Sequence, residues 1–283
     1  MLGNEKPDDP GVEPKQLIGI LLLYYEEYAA ESIERFLSFI SKVNATTTLI
    51  IVQNKVFELP EINHPDLHLI AGDNATREFS GWQTALDYCQ AKDIERAQGV
   101  FIFANDTFCH HNKFGLLTQF LFARSFRAIF KRPALLKLAG EVHTNKAEYA
   151  ILDKHFSGWV STYLFCMTFA LTKKTGGVLP KNFPLESFFS GKATIEEFLV
   201  GGLSDNLKQH TKKWIFGLTS GAKWYGAAVL NEHNLVAFTG KTKSIICEKY
   251  LTANALSVGG TILNSFSSRF LNQVRRIERL FAK

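Results

Sequence analysis

The chain has 283 residues, 46% of them hydrophobic and 21% charged, with a formal net charge of +5. That balance excludes a disordered chain and supplies apolar material for one large domain or two small ones. The longest early apolar run, residues 17–25, is too short to cross a bilayer.

Residues 1–16 carry Pro7, Pro10 and Pro14 among acidic residues and read as a flexible lead-in. This lead-in is net acidic, unlike a signal peptide, and the four cysteines form no CxxC pair. Both features point to reduced thiols and a cytoplasmic location. Residues 17–24 predict a buried strand and residues 29–43 a helix, with Ile33, Phe36, Leu37 and Ile40 at helical spacing. Residues 48–52 predict a β-branched strand, 67–70 a short strand, 79–91 a helix and 100–104 a fourth strand.

This alternation argues for βαβ units and a mostly parallel sheet, with right-handed crossovers. The strand ends then share one edge, bringing loops 24–28, 53–55, 72–78 and 105–108 together. The apolar run Val100-Phe101-Ile102-Phe103-Ala104 ends abruptly in Asn105-Asp106-Thr107. A carboxylate there lies where open α/β sheets bind ligands.

The second half is less regular. Residues 114–139 read as a basic helix kinked or broken at Pro133, residues 162–171 as a strand, and residues 194–210 as a helix containing Gly201 and Gly202. From residue 263 onward a helix is expected, with Phe266, Phe270, Ile277 and Phe281 on one side. Charge is unevenly placed: Lys113, Arg124, Arg127, Lys131, Arg132 and Lys137 have no acid between them, and Arg269, Arg275, Arg276, Arg279 and Lys283 crowd the tail. Two basic segments on an acidic body suit an anionic surface. The 24 phenylalanines suit a thick core or a surface that meets lipid.

Several segments together resemble a known pattern. Asn74-Ala75-Thr76-Arg77-Glu78-Phe79, with the small and aromatic residues Ser80-Gly81-Trp82 after it, resembles the N-x-G-x-D-F segment of rhamnan-synthesis-type glycosyltransferases. Asn105-Asp106-Thr107 resembles the N-D-S segment that stands in for DxD there, Ser161-Thr162-Tyr163-Leu164-Phe165 the following strand, and Gly202-Leu203-Ser204 the G-L-S segment. Thr76 stands where that family has Gly, and Glu78 where it has Asp. The resemblance spans roughly residues 17–215 and implies an α/β, GT-A-like Rossmann-type fold, a mostly parallel sheet flanked by helices. With the C-terminal amphipathic helix read from the residues, the chain divides into a lead-in (1–16), a catalytic domain (17–240) and a helical tail (241–283).

The implied activity is transfer of a hexosyl or deoxyhexosyl group from a nucleotide-sugar donor to a growing cell-surface polysaccharide or lipid-linked acceptor. Asp73, Asn74, Arg77, Trp82, Asn105, Asp106 and Thr107 would bind the donor. Asp106 would hold a divalent cation, Mg or Mn, that neutralises the departing diphosphate; alternatively it caps the next helix. Arg77 either meets a phosphate bidentately or pairs with Glu78. Asp73 and Asn74 otherwise serve as turn residues, and Trp82 and Trp159 as core rather than sugar platforms. An inverting transferase needs a base, and Asp153, Glu197 and Asp205 are the candidates, with Glu196 beside them; each is otherwise a solvated charge. Cys109, His110 and His111 are adjacent and point to different sides, which argues against a shared zinc site.

The basic tail would rest on an anionic inner membrane face or pack on the domain. No motif supports nucleic acid. Two other readings stay open: a non-catalytic α/β protein binding nucleotide or glycan, and a membrane-surface scaffold.

Overall fold

The structure is a computed structural model, and it describes residues 15–44, 46–95, 98–112, 114–217 and 229–267. The first half is built from β1 (Gln16–Leu23), α1 (Glu26–Val43), β2 (Thr48–Gln53), β3 (Leu67–Ala71), α2 (Glu78–Ala91) and β4 (Gly99–Asn105). These elements follow the apolar periodicity closely. β1 pairs in parallel with β2 and with β4, and β2 in parallel with β3. Leu22 stands opposite Val52 on one side and Asn105 on the other, so the C-terminal ends of β1, β2 and β4 finish level.

Next come α3 (Leu116–Phe130), β5 (Lys137–Ile151), β6 (Lys154–Thr168), α4 (Phe169–Thr175), α5 (Asp205–Ile215), α6 (Leu235–Ser257) and β7 (Thr261–Asn264). The sheet has seven strands in the order β3-β2-β1-β4-β6-β5-β7. β6 runs antiparallel to both β4 and β5, whereas β7 is parallel to β5. This is the expected α/β class, a mostly parallel sheet flanked by helices.

Alternate strand residues feed two apolar layers. Leu17, Leu21, Ile102 and Ala104 pack with Phe36, Phe39, Phe122 and Phe126 of α1 and α3. Ile18, Ile20, Leu22, Phe101 and Phe103 pack with Phe79 and Trp82 of α2 and with Ile246, Cys247 and Leu251 of α6. Phe103 stacks on Phe165 at 4.6 Å, and Trp82 meets both rings edge-on. Phenylalanine is thus chiefly core material, each buried ring removing roughly 150–250 Å² from water.

Several expectations need correction. The basic helix ends at Phe130, and residues from Lys137 belong to β5, because the chain beyond Pro133 has a strand partner in β6. The strand expected at 162–171 is the second half of a longer β6; residues 169–171 start α4, whose Leu171 N–H is capped by Thr168 Oγ1 at 3.2 Å. Residues 194–204 are irregular, and the helix begins only at Asp205, since Gly202 sits at φ +72° in the left-handed region. Leu263 and Asn264 are strand, not helix. Ser265 and Phe266 form a turn, with Phe266 buried against Phe122, and residues 268–283 of the expected tail helix, like most of the lead-in, lie outside the described residues. The 240/241 division falls inside α6, which packs against the sheet. Among the described residues, no helix is long and apolar enough to cross a membrane.

Candidate functional site

A cavity of about 540 Å³ opens at the C-terminal edge of the strands. Tyr24 and Tyr25 follow β1, Asn54 follows β2, Asn74, Ala75, Arg77 and Glu78 come from the loop into α2, and Asn105, Asp106 and Thr107 end β4. His111 and, from α6, Gly240 and Lys241 complete the wall. A larger groove of about 800 Å³ lies at the opposite, N-terminal edge, lined by Gln16, Leu17, Thr48, His64 and Asp66. There Thr48 Oγ1 donates to Asp66 Oδ2 at 2.6 Å and His64 lies 3.2 Å from Thr47 Oγ1, so its polar groups are engaged with one another. The cavity at the C-terminal edge is the better ligand site.

The Asn54 amide ties the loop between β3 and α2 to the end of β2. Asn54 Nδ2 donates to the Arg77 carbonyl at 2.9 Å and to Asn74 Oδ1 at 3.3 Å. The amide sits where side chains would otherwise be: a Cβ at Gly81 would fall 2.7 Å from Asn54 Oδ1, and one at Gly72 only 1.9 Å from it. Both Asn74 and Arg77 have φ near +52°, a region an arginine rarely adopts. The Arg77 guanidinium reaches toward Gly240 of α6. It makes no hydrogen bond or ion pair among the described residues. It also stands at the N-cap of the 14-residue α2, whose first amides favour an anion.

Asp106 is 2% exposed. Its Oδ2 accepts the backbone N–H groups of Tyr24 at 2.6 Å and Tyr25 at 2.7 Å. Its own N–H donates to Leu22 O at 2.9 Å, and its carbonyl accepts from Ser32 Oγ at 3.0 Å. Burial raises the carboxyl above the usual aspartate range, against the lowering effect of the two amides. Thr107 Oγ1 donates to Asn105 Oδ1 at 2.8 Å and fixes the turn beside it. Glu78 accepts from Ser244 Oγ at 3.4 Å; its surroundings desolvate it and raise its carboxyl, with Lys241 and Arg77 pulling the other way.

Of the residues expected to bind a donor, the fold brings Asn74, Arg77, Asn105, Asp106 and Thr107 to this cavity. Asp73 is not among them: it lines a separate groove of about 460 Å³, and its Oδ1 accepts from Ala75 N–H at 2.9 Å, which lowers its carboxyl. Trp82 is a correction as well, because its ring is fully buried and its Nε1 donates to Ala104 O at 3.2 Å.

The three expected bases do not line the cavity. Asp153 is 86% exposed at the β5–β6 turn, 4.0 Å from Lys154 Nζ. Glu197 pairs with Lys192 and Thr194, which lowers its carboxyl, and Asp205 is 90% exposed, 3.4 Å from Lys208. No sequence motif marks Tyr24, Tyr25, Asn54 or Lys241, although loops 24–28 and 53–55 are expected at this edge. Trp159 is half-buried and carries the Lys249 ammonium 4.1 Å above its ring. His110 stacks on Tyr28 at 4.1 Å.

The protein offers few donors for a divalent cation at this cavity, namely Asp106 Oδ1, Glu78 and His111. Asp106 commits one oxygen to two amides, and the Asn105 amide oxygen is taken by Thr107. Arg77 and Lys241 line the same cavity. Among the described residues no group of three or more His, Cys, Asp or Glu is placed to hold a metal.

No protein-family model matches the sequence, and no curated protein matches it. A search of solved structures finds similarity to the mannosyltransferase PcManGT from Pyrobaculum calidifontis, solved in complex with GDP-Man and Mn2+. That match has a TM-score of 0.36 and 11% identity, and covers 98% of this chain and 84% of that chain.

Proposed function

We propose that the chain is a GT-A-like glycosyltransferase whose cavity at the strand ends takes a nucleotide-sugar donor. The observation that carries this reading is the Arg77 guanidinium, without a hydrogen-bonding partner among the described residues, held at the N-terminus of α2 in a cavity also lined by Lys241. A diphosphate is the ligand that such a pair of cations and a helix N-terminus would bind. The Tyr24 and Tyr25 rings, 38% and 37% exposed, offer a surface on which a base could stack. The four segments that resemble rhamnan-synthesis-type enzymes support the same reading, with a glycan or lipid-linked acceptor.

In this mechanism Arg77 and Lys241 balance the charge that develops on the departing diphosphate, the role a metal would otherwise fill. Asn54 fixes the arginine's carbonyl, and Asp106 fixes the tyrosine loop. Incubation with a panel of nucleotide sugars should release nucleoside diphosphate, and Arg77→Ala should abolish that release. No release from any donor, with or without glycan acceptors, would remove the enzymatic reading. A binding protein without turnover is the second reading, favoured by the absence of Asp153, Glu197 and Asp205 from the cavity lining. Tight donor binding without release would select it.

A further inference from the structure

Helix α3 is two-sided. Leu121, Phe122, Phe126 and Ile129 are buried against α1 and the sheet. The opposite stripe is unusual for a solvent face: Leu116 is 79% exposed and Phe120 53%, and Leu135 in the turn beyond the helix is 45% exposed. Arg124, Arg127, Lys131 and Arg132 are exposed alongside them. Arg127 Nε donates to Lys42 O at 2.6 Å, which anchors that cation beside the exposed Lys42 at the end of α1. No Asp or Glu occurs between Asp106 and Glu141.

We infer that this face of α3 docks the molecule on a bilayer containing anionic lipid. The cations meet the headgroup phosphates, while Leu116, Phe120 and Leu135 enter the headgroup–acyl boundary. A nucleic acid would satisfy the charges but offers no apolar layer for the two leucines, so lipid fits the whole stripe better. This inference is independent of the cavity's ligand.

The test is flotation of the full chain with vesicles of phosphatidylcholine alone and of phosphatidylcholine mixed with phosphatidylglycerol. Binding should require the anionic lipid and weaken with added salt. Arg124→Glu combined with Lys131→Glu should reduce binding about tenfold or more, given the cost of each lost or reversed charge near the surface. Phe120→Ser should reduce it without any change in charge. All three positions are exposed, so circular dichroism and the melting temperature should match the wild type. Three results would overturn the inference: no binding to either vesicle, unchanged binding by the double variant, or charge-dependent binding to an oligonucleotide with none to vesicles.

Discussion

The Asp106 carboxylate accepts the Tyr24 amide at 2.6 Å and the Tyr25 amide at 2.7 Å through the same oxygen. The group that the motif marks as a metal ligand is therefore the clasp between the ends of β1 and β4. Asp106→Ala leaves two part-buried N–H groups without an acceptor and should destabilise the fold by about 2–4 kcal/mol in urea unfolding. Asp106→Asn keeps an acceptor oxygen and should retain most of the stability. Burial raises this carboxyl in the folded state, so its ionisation costs stability as pH rises through the folded pKa. The asparagine variant should lack that dependence.

Arg77 combines a proposed phosphate-binding role with backbone strain. Its φ of +52° and ψ of −128° suit glycine, so Arg77→Gly should raise folding stability by about 1 kcal/mol. The same change removes the guanidinium and should weaken nucleotide-sugar binding by about tenfold or more. Parallel denaturation and binding curves check the opposite signs.

Gly81 gives Asn54 its place. Gly81→Ala sets a methyl 2.7 Å from Asn54 Oδ1 and 2.4 Å from Leu22 Cδ1. The crowding should cost about 1–3 kcal/mol and release the Arg77 carbonyl from its hydrogen bond. Donor affinity should fall with it, although Gly81 lines no part of the cavity.

With Arg77 and Lys241 in the proposed charge-balancing role, binding of UDP or GDP should persist in EDTA and weaken on Lys241→Met. Calorimetry with and without chelator reads this directly. Binding that needs Mn²⁺ would return the charge balance to a metal.

His210 lies 5.3 Å from the Tyr149 ring and 5.4 Å from Trp159. Burial, and then the charges of Lys249 and Lys213, push its imidazole down to about 4. With the folded pKa below the unfolded one, its contribution is present above about pH 6.5 and is lost as pH falls toward 4. The loss is about 2–3 kcal/mol over that window. Denaturant midpoints at about pH 7 and about pH 4.5 should lie closer together in His210→Gln than in the wild type.

The parallel half of the fold was legible because β1, β2 and β4 are short, continuous apolar runs with helical periods between them. Their level ends made the grouping of loops 24–28, 53–55, 72–78 and 105–108 readable as well. The role of Asp106 was not, since its partners are amides about 80 residues away, which side-chain identity does not reveal. Lys241 was hidden for a similar reason: it arrives on α6, whose approach to the strand ends has no local signature. The β5–β6 hairpin was missed because the basic run from α3 continues to Lys137, masking the change of period. Glu197 and Asp205 flank Gly201-Gly202, a loop that the structure places off the cavity.

The most direct test is hydrogen exchange of the full chain with and without a saturating panel of nucleotide sugars. The account predicts slowed exchange in residues 22–25, 72–78 and 105–107, and weaker slowing there in Arg77→Ala at the same donor concentration. Protection confined to the opposite groove around His64 and Asp66, or no protection with any donor, would contradict it.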